Sequence, residues 1–230
     1  QMFNISDYEN LILKLLNAGL KPTTNWNEKM TVNSLLLRHD IDFSPDYALK
    51  IAKIESKLNV QATYFIMLTS NMYNFLSSHN QKLVKDIIDL GHKVSLHFDP
   101  KAYENVDKFL EEKNIFENIT NNYVDIVSVH RPGLLLKNNN VSLSGVKHTY
   151  QDSYFKKMKY ISDSGCKNIF PQLSEYLKNS RKFGLHLLIH PIWWASEGSN
   201  PTEKLNQWRK IKHNFLKLEI KKNCKIYDEK

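Results

Sequence analysis

Apolar residues along this chain fall into two kinds of run. Five short ones read as buried strands: "SLLLRHD" (34–40), "ATYFIML" (62–68), "KVSLHF" (93–98), "DIVSVH" (125–130) and "LHLLIH" (185–190). Amphipathic helical patterns lie between and around them. "SPDYALKIAKIESKLN" (44–59) opens with Ser44 as N-cap and Pro45 at the first helical position. "QKLVKDIIDLG" (81–91) ends at Gly91, a residue suited to a left-handed C-cap. "AYENVDKFLEEKNIF" (102–116), "EKLNQWRKIKHNFLKLEI" (203–220) and the opening "QMFNISDYENLILKLLNAGL" add further helical spacing. Strands that alternate with helices predict βα units and a mainly parallel sheet, either open or closed into a barrel.

The stretch from about 137 to 175 reads as loop-rich, with "KNNNVSLSG" its most polar part. No linker, internal repeat or low-complexity tract interrupts the chain, so the expectation is one domain over 1–230. At 230 residues and 41% hydrophobic, that domain can bury a sizeable core. Its two cysteines, Cys166 and Cys224, form no motif and suit a reducing compartment. The formal charge of +8 raises the question of a polyanionic partner. The lysines are interleaved with Glu and Asp, without an arginine-rich arm, which argues against nucleic acid and leaves a solvated basic surface or attraction of an anionic substrate. No run approaches the 18 or so apolar residues of a membrane span, and the acidic start does not suit a signal peptide. A soluble cytoplasmic protein is the expectation.

Candidate chemistry enters with "LLLRHDIDFSP" (35–45), where a strand-like run ends in Asp40 and Asp42. Spaced i, i+2, their carboxylates share one face of the strand, an arrangement that is costly unless a cation or a shared proton relieves it. The other strand ends carry His97 and Asp99, His130 and Arg131, and His190. Parallel βα architectures place active sites at that edge. One carboxylate and two imidazoles with an open position are the ligand set of a catalytic zinc-type site. One aspartate would hold the ion and its neighbour would take a proton from water.

These motifs resemble the polysaccharide deacetylases with a NodB homology domain, carbohydrate esterase family four. "RHDID" resembles the first motif and implies Asp40 as base and Asp42 as metal ligand. "GHKVSLHFDP" is similar to the family's metal-binding segment, placing His97 on the first metal histidine and His92 on a structural one. "HRPG" resembles the arginine motif with Arg131, "LLIHP" the last motif with His190 as general acid, and "YISDSG" would supply Asp163 to orient that arginine. The resemblance spans about 35–195 and departs at one place: Lys101 stands where the family has its second metal histidine. The third ligand is therefore expected to be His130, with Asp99 second.

The resemblance implies a distorted (β/α)7 barrel, with two weaker strands near 158–170. It also implies a metal-dependent hydrolase that removes an acetyl group, most readily N-acetyl, from a sugar. Zinc is the expected ion, with nickel, cobalt or iron as alternatives. In a cytoplasmic setting the substrates would be nucleotide sugars or lipid-linked glycans, both anionic. Trp193 and Trp194, next to His190, are candidates to stack on a sugar ring, against plain core burial. His39 is expected to be a packed neighbour, and His186 either to face the barrel or to be structural. Two rival readings stand: another metal-dependent amide or phosphoester hydrolase, for which the usual HxH pairs are missing, and a catalytically silent sugar-binding module.

Overall fold

Ser44 accepts a hydrogen bond from the Asp46 amide (3.3 Å) with Pro45 in the first turn, and helix α2 (Pro45–Lys57) begins there. The structure, a computed structural model, describes residues 3–103, 108–133 and 140–228. Helix α1 (Ile5–Asn17) starts at a reciprocal cap between Asn4 and Asp7 and buries Tyr8, Leu11, Ile12 and Leu15. Helix α3 (Ser78–Asp89) ends as the sequence suggests, with Gly91 at φ 90°. Helix α4 (Phe109–Thr120) starts later than the pattern from Ala102 predicts. Asp99 instead caps a short 3-10 turn at Pro100–Ala102, and the expected helix over 104–107 lies outside the described residues. Helix α8 (Pro201–Asn223), capped by Asn200, closes the described chain.

The strands are β1 (Lys21–Pro22), β2 (Ser34–Ile41), β3 (Thr63–Ile66), β4 (Lys93–Phe98), β5 (Ile126–Val129), β6 (Lys147–His148), β7 (Lys159–Ser162) and β8 (Leu185–Ile189). They form one sheet in the order β6-β5-β4-β3-β2-β8-β7, with β1 beside the start of β2, and every pairing is parallel. Of the two weaker strands expected near 158–170, β7 is there, whereas β6 lies earlier. The segment read as loop also holds helices α5 (Asp152–Phe155) and α6 (Phe170–Lys178), while its residues 137–139 lie outside the description. Helix α7 (Pro191–Ala195) follows β8 directly.

The sheet is curled. Strands β2 and β5 are three places apart, about 14 Å in a flat sheet at the usual spacing. Yet the Arg38 guanidinium on β2 donates to Ser128 Oγ on β5 at 2.6 Å. Only a sheet rolled around an interior allows that contact, so this is an α/β fold of the distorted-barrel type, with no pairing between β6 and β7 among the described residues.

All eight residues of β2 are buried, and its two faces serve different cores. Leu36 joins Trp26, Phe65, Ile126, Tyr154 and Met158 in a small apolar plug inside the barrel. Leu35, Leu37 and Ile41 point outward into the larger core under the helices. His39 shares that outer face: its Nε2 lies 2.7 Å from Glu55, which also accepts from the Tyr8 and Tyr64 hydroxyls. His92 is structural here, its Nε2–H donating to the Ala52 carbonyl (2.9 Å) and its Nδ1 accepting from the Ala62 amide (3.2 Å). His186 faces the interior, fully buried, and donates through Nδ1 to the Tyr154 carbonyl at 3.0 Å.

Candidate metal centre and active site

The inward positions of β2 run Leu36, Arg38, Asp40 and then Asp42 just past its end, so the strand delivers an apolar plug, a cation and two carboxylates in rising layers. Strand β4 brings His97 to the same level, and the chain beyond β5 and β8 adds His130 and His190. These side chains line one cleft of about 330 Å³ at the carboxyl edge of the sheet, together with Phe43, Tyr150 and Trp193.

Asp42, His97 and His130 each offer a ligand atom, all within 4.8 Å of one another. Asp42 Oδ1 and His97 Nε2 approach to 3.1 Å, and although that is close enough for a hydrogen bond, Asp42 Oδ1 has no hydrogen-bond partner. Two donors each about 2.0–2.2 Å from one tetrahedral ion stand about that far apart, so the spacing and the orphaned oxygen both fit a divalent cation. Burial pushes the Asp42 carboxyl up, but the His97 imidazole beside it outweighs this, and the group is held below its ordinary value. His97 is pulled down by burial and raised overall by Asp40 and Asp42.

Asp99 is not part of the triad. Its carboxylate lies 3.0 Å from His130 Nδ1, which leaves Nε2 of that ring free to face the centre. Metal-binding histidines are commonly held in this way by a carboxylate on the other nitrogen. His97 lacks such support, since its Nδ1 is buried with no partner.

Asp40 is 3% exposed and gripped by Arg38, whose Nε donates to Oδ1 (2.8 Å) and Nη2 to Oδ2 (2.6 Å). The Ser128 hydroxyl stands 3.1 Å from both carboxylate oxygens. Burial drives the Asp40 carboxyl up, and the Arg38 charge beside it more than reverses this, holding it well below the usual carboxylate range. The arginine that braces Asp40 is therefore Arg38, not Arg131. Arg131 is exposed on the cleft wall, and the expected pairing with Asp163 does not form.

Asp163 serves His190 instead. Fully buried, it accepts from His190 Nδ1 (2.6 Å), from the His190 amide (3.0 Å) and from the Trp194 indole N–H (2.8 Å). Burial pulls the imidazole down, but the charge and hydrogen bond of Asp163 prevail and raise it to about 9. His190 Nε2 then faces Asp42, 3.8 Å from Oδ2.

The two tryptophans part company. Trp193 lines the cleft, whereas Trp194 is 1% exposed and stacks on Phe3 at 4.2 Å between ring centres. Its indole is closed to a ligand, so the reading of Trp194 as a sugar platform is corrected to core packing. Sequence reasoning missed Arg38 and Ser128 at the site. Arg38 carried a usable signal, because the two-residue period that pairs Asp40 with Asp42 puts Arg38 on the same face.

No family model matches the sequence, and no curated protein matches it. Solved structures do. One is the chitin deacetylase from the fungal pathogen Colletotrichum lindemuthianum, at 14% identity over 83% of this chain and 86% of that one, TM-score 0.49. Another is the catalytic domain of peptidoglycan N-acetylglucosamine deacetylase from Eubacterium rectale, at 16% identity over 84% and 88%, TM-score 0.46. A third is a CE4 family pseudoenzyme from Bacillus anthracis, at 18% identity over 84% of this chain, which spans 65% of that protein's length, TM-score 0.42. At these identities and scores the likenesses say nothing of activity, metal or substrate in this chain.

Proposed function

We propose that this chain is a metal-dependent hydrolase that removes an acetyl group, N-acetyl before O-acetyl, from a sugar. The observation that carries the reading is the convergence of Asp42, His97 and His130 as a ligand triad with Asp40 and His190 beside it in one cleft. A divalent ion on that triad, zinc first, would polarise the acyl oxygen and acidify a water. Asp40, 3.8 Å from His97 Nε2, takes the proton of the attacking water as its oxygen bonds to the acyl carbon. The C–N bond then breaks, and His190 gives its proton to the departing nitrogen, yielding acetate and the free amine. Asp163 keeps the His190 proton on Nδ1 in the neutral ring and stabilises the charged one. Phe43 and Trp193 give the cleft the apolar surface on which a pyranose face packs.

A cytoplasmic setting, with nucleotide sugars or lipid-linked glycans as substrates, remains part of this proposal. No helix among the described residues is long and apolar enough to cross a membrane. A silent sugar-binding module is the second reading, and one observation favours it: both oxygens of Asp40 already accept from Arg38 and Ser128, which makes Asp40 a weak base. Acetate release from chitooligosaccharides and acetylated nucleotide sugars by the metal-loaded protein decides between them. Turnover that disappears on chelation and returns with zinc supports the hydrolase, and binding without turnover supports the module.

A further inference from the structure

We propose that Arg131 is the anion-recognising residue of the cleft, so that the favoured sugar carries a phosphate or carboxylate beside its acetylated position. The inference rests on the deacetylase reading for the word "acetylated" and on Arg131 alone for the anion.

Arg131 directly follows His130 on the segment that leaves β5, and it lines the same cleft as Asp42, His97, His190 and Trp193. The task of bracing Asp40 belongs to Arg38, and the Asp163 carboxylate is taken by His190 and Trp194. The Arg131 guanidinium is left exposed, with no ion pair or hydrogen bond among the described residues. Its backbone sits at φ 47°, in the left-handed region that a residue with a side chain seldom occupies. Such strained conformations concentrate at binding and catalytic positions.

Charge balance points the same way. Asp40 is matched by Arg38 and Asp163 by His190, Asp99 is taken up as the hydrogen-bond partner of His130, and Asp42 faces the proposed ion. Arg131 remains as an unmatched cation on the cleft wall. A guanidinium offers two parallel N–H donors that fit a phosphate or carboxylate edge, a geometry that no neutral sugar hydroxyl exploits as well. The formal charge of +8 adds long-range attraction for an anionic ligand.

The test is calorimetric titration of the metal-loaded protein with N-acetylglucosamine, its 1-phosphate and N-acetylmuramic acid. The neutral sugar is the baseline, and the other two separate phosphate from carboxylate. The wild type should bind at least one anionic sugar about tenfold or more tightly than the neutral one. In Arg131→Gln the ratio of anionic to neutral affinity should fall to about one, and Arg131→Lys should recover part of it. Lys221→Gln, a charge change far along α8, should leave the ratio intact. A wild-type ratio near one overturns the inference, as does a ratio that survives in Arg131→Gln, because the anion would then be held elsewhere, on the ion for instance. Failure of every sugar to bind overturns this inference and the deacetylase reading together. Acetate release from neutral sugars without anion preference overturns this one alone.

Discussion

Arg38 and Asp40, two residues apart on one buried strand, hold each other through two parallel hydrogen bonds of 2.8 and 2.6 Å. Both side chains are almost wholly withdrawn from water, so each depends on the other. Replacing one partner should strand the opposite charge, and loss of such a pair typically costs about 3–5 kcal/mol. Arg38→Met should therefore lower the melting temperature sharply, and Arg38→Met with Asp40→Leu should regain most of it. A double variant no better than the single one would mean that the pair is not the source of the loss.

The ligand triad predicts metal stoichiometry. Purified protein should hold one divalent ion per chain by elemental analysis, and Asp42→Ala, His97→Ala and His130→Ala should each remove it. Asp99→Asn acts one step away, through His130, and should weaken binding roughly 10–100-fold rather than abolish it. Full retention of metal by His130→Ala would move the third ligand elsewhere.

The division of labour between Asp40 and His190 is separable by leaving group. Asp40→Asn should keep its metal and lower kcat by roughly 10²–10⁴-fold on any substrate, the usual contribution of a positioned base. His190→Ala should also keep metal, with a large defect on N-acetyl sugars and a small one on an aryl acetate, whose phenolate departs without a proton. An equal defect on both substrates would deny His190 the role of acid.

Stability should fall on mild acidification, before the carboxylates titrate. Burial, helped by the Arg38 charge, pushes the His186 pKa down to about 3, and burial also lowers His92. Both rings are neutral in the folded protein, while the unfolded chain takes up their protons below about pH 6.5. Their contribution is complete above that pH and is lost as the pH drops, for His186 over the range down to about 3. His190, raised to about 9, contributes stability that is complete below pH 6.5 and lost as the pH rises towards 9, and Glu112, pushed up to about 7 by burial, offsets part of the histidine effect below pH 7. Melting temperatures should decline from pH 6.5 to 5, and His186→Phe should flatten that slope even though it also removes the bond to the Tyr154 carbonyl. An unchanged slope would assign the effect to other groups.

The sequence disclosed most where period and position alone carry the information. Asp40, Asp42, His97, His130 and His190 all close or follow strongly apolar strands, so their meeting at one edge follows from parallel topology. Short elements were harder: β6, α5 and α6 sit in polar sequence and owe their form to tertiary contacts such as the Tyr154 hydroxyl on the Trp26 carbonyl (2.5 Å). Partner choice was hardest. Asp163 is a single buried carboxylate that several cations could satisfy, and nothing in the spacing reveals that His190 reaches it before Arg131. The neighbours Trp193 and Trp194 show the same limit, because both are buried in the core on the single turn of α7 and only Trp193 also lines the cleft.

Strand β2 stands out for what it forbids. Its inner face carries Arg38 and Asp40, and its outer face carries Leu35, Leu37, His39 and Ile41. Inserting or deleting one residue within it would exchange the two faces beyond that point, sending His39 into the barrel and the carboxylates under the helices. The count of residues from Leu35 to Asp42 therefore cannot change without dismantling the candidate site and the helix seat in a single step.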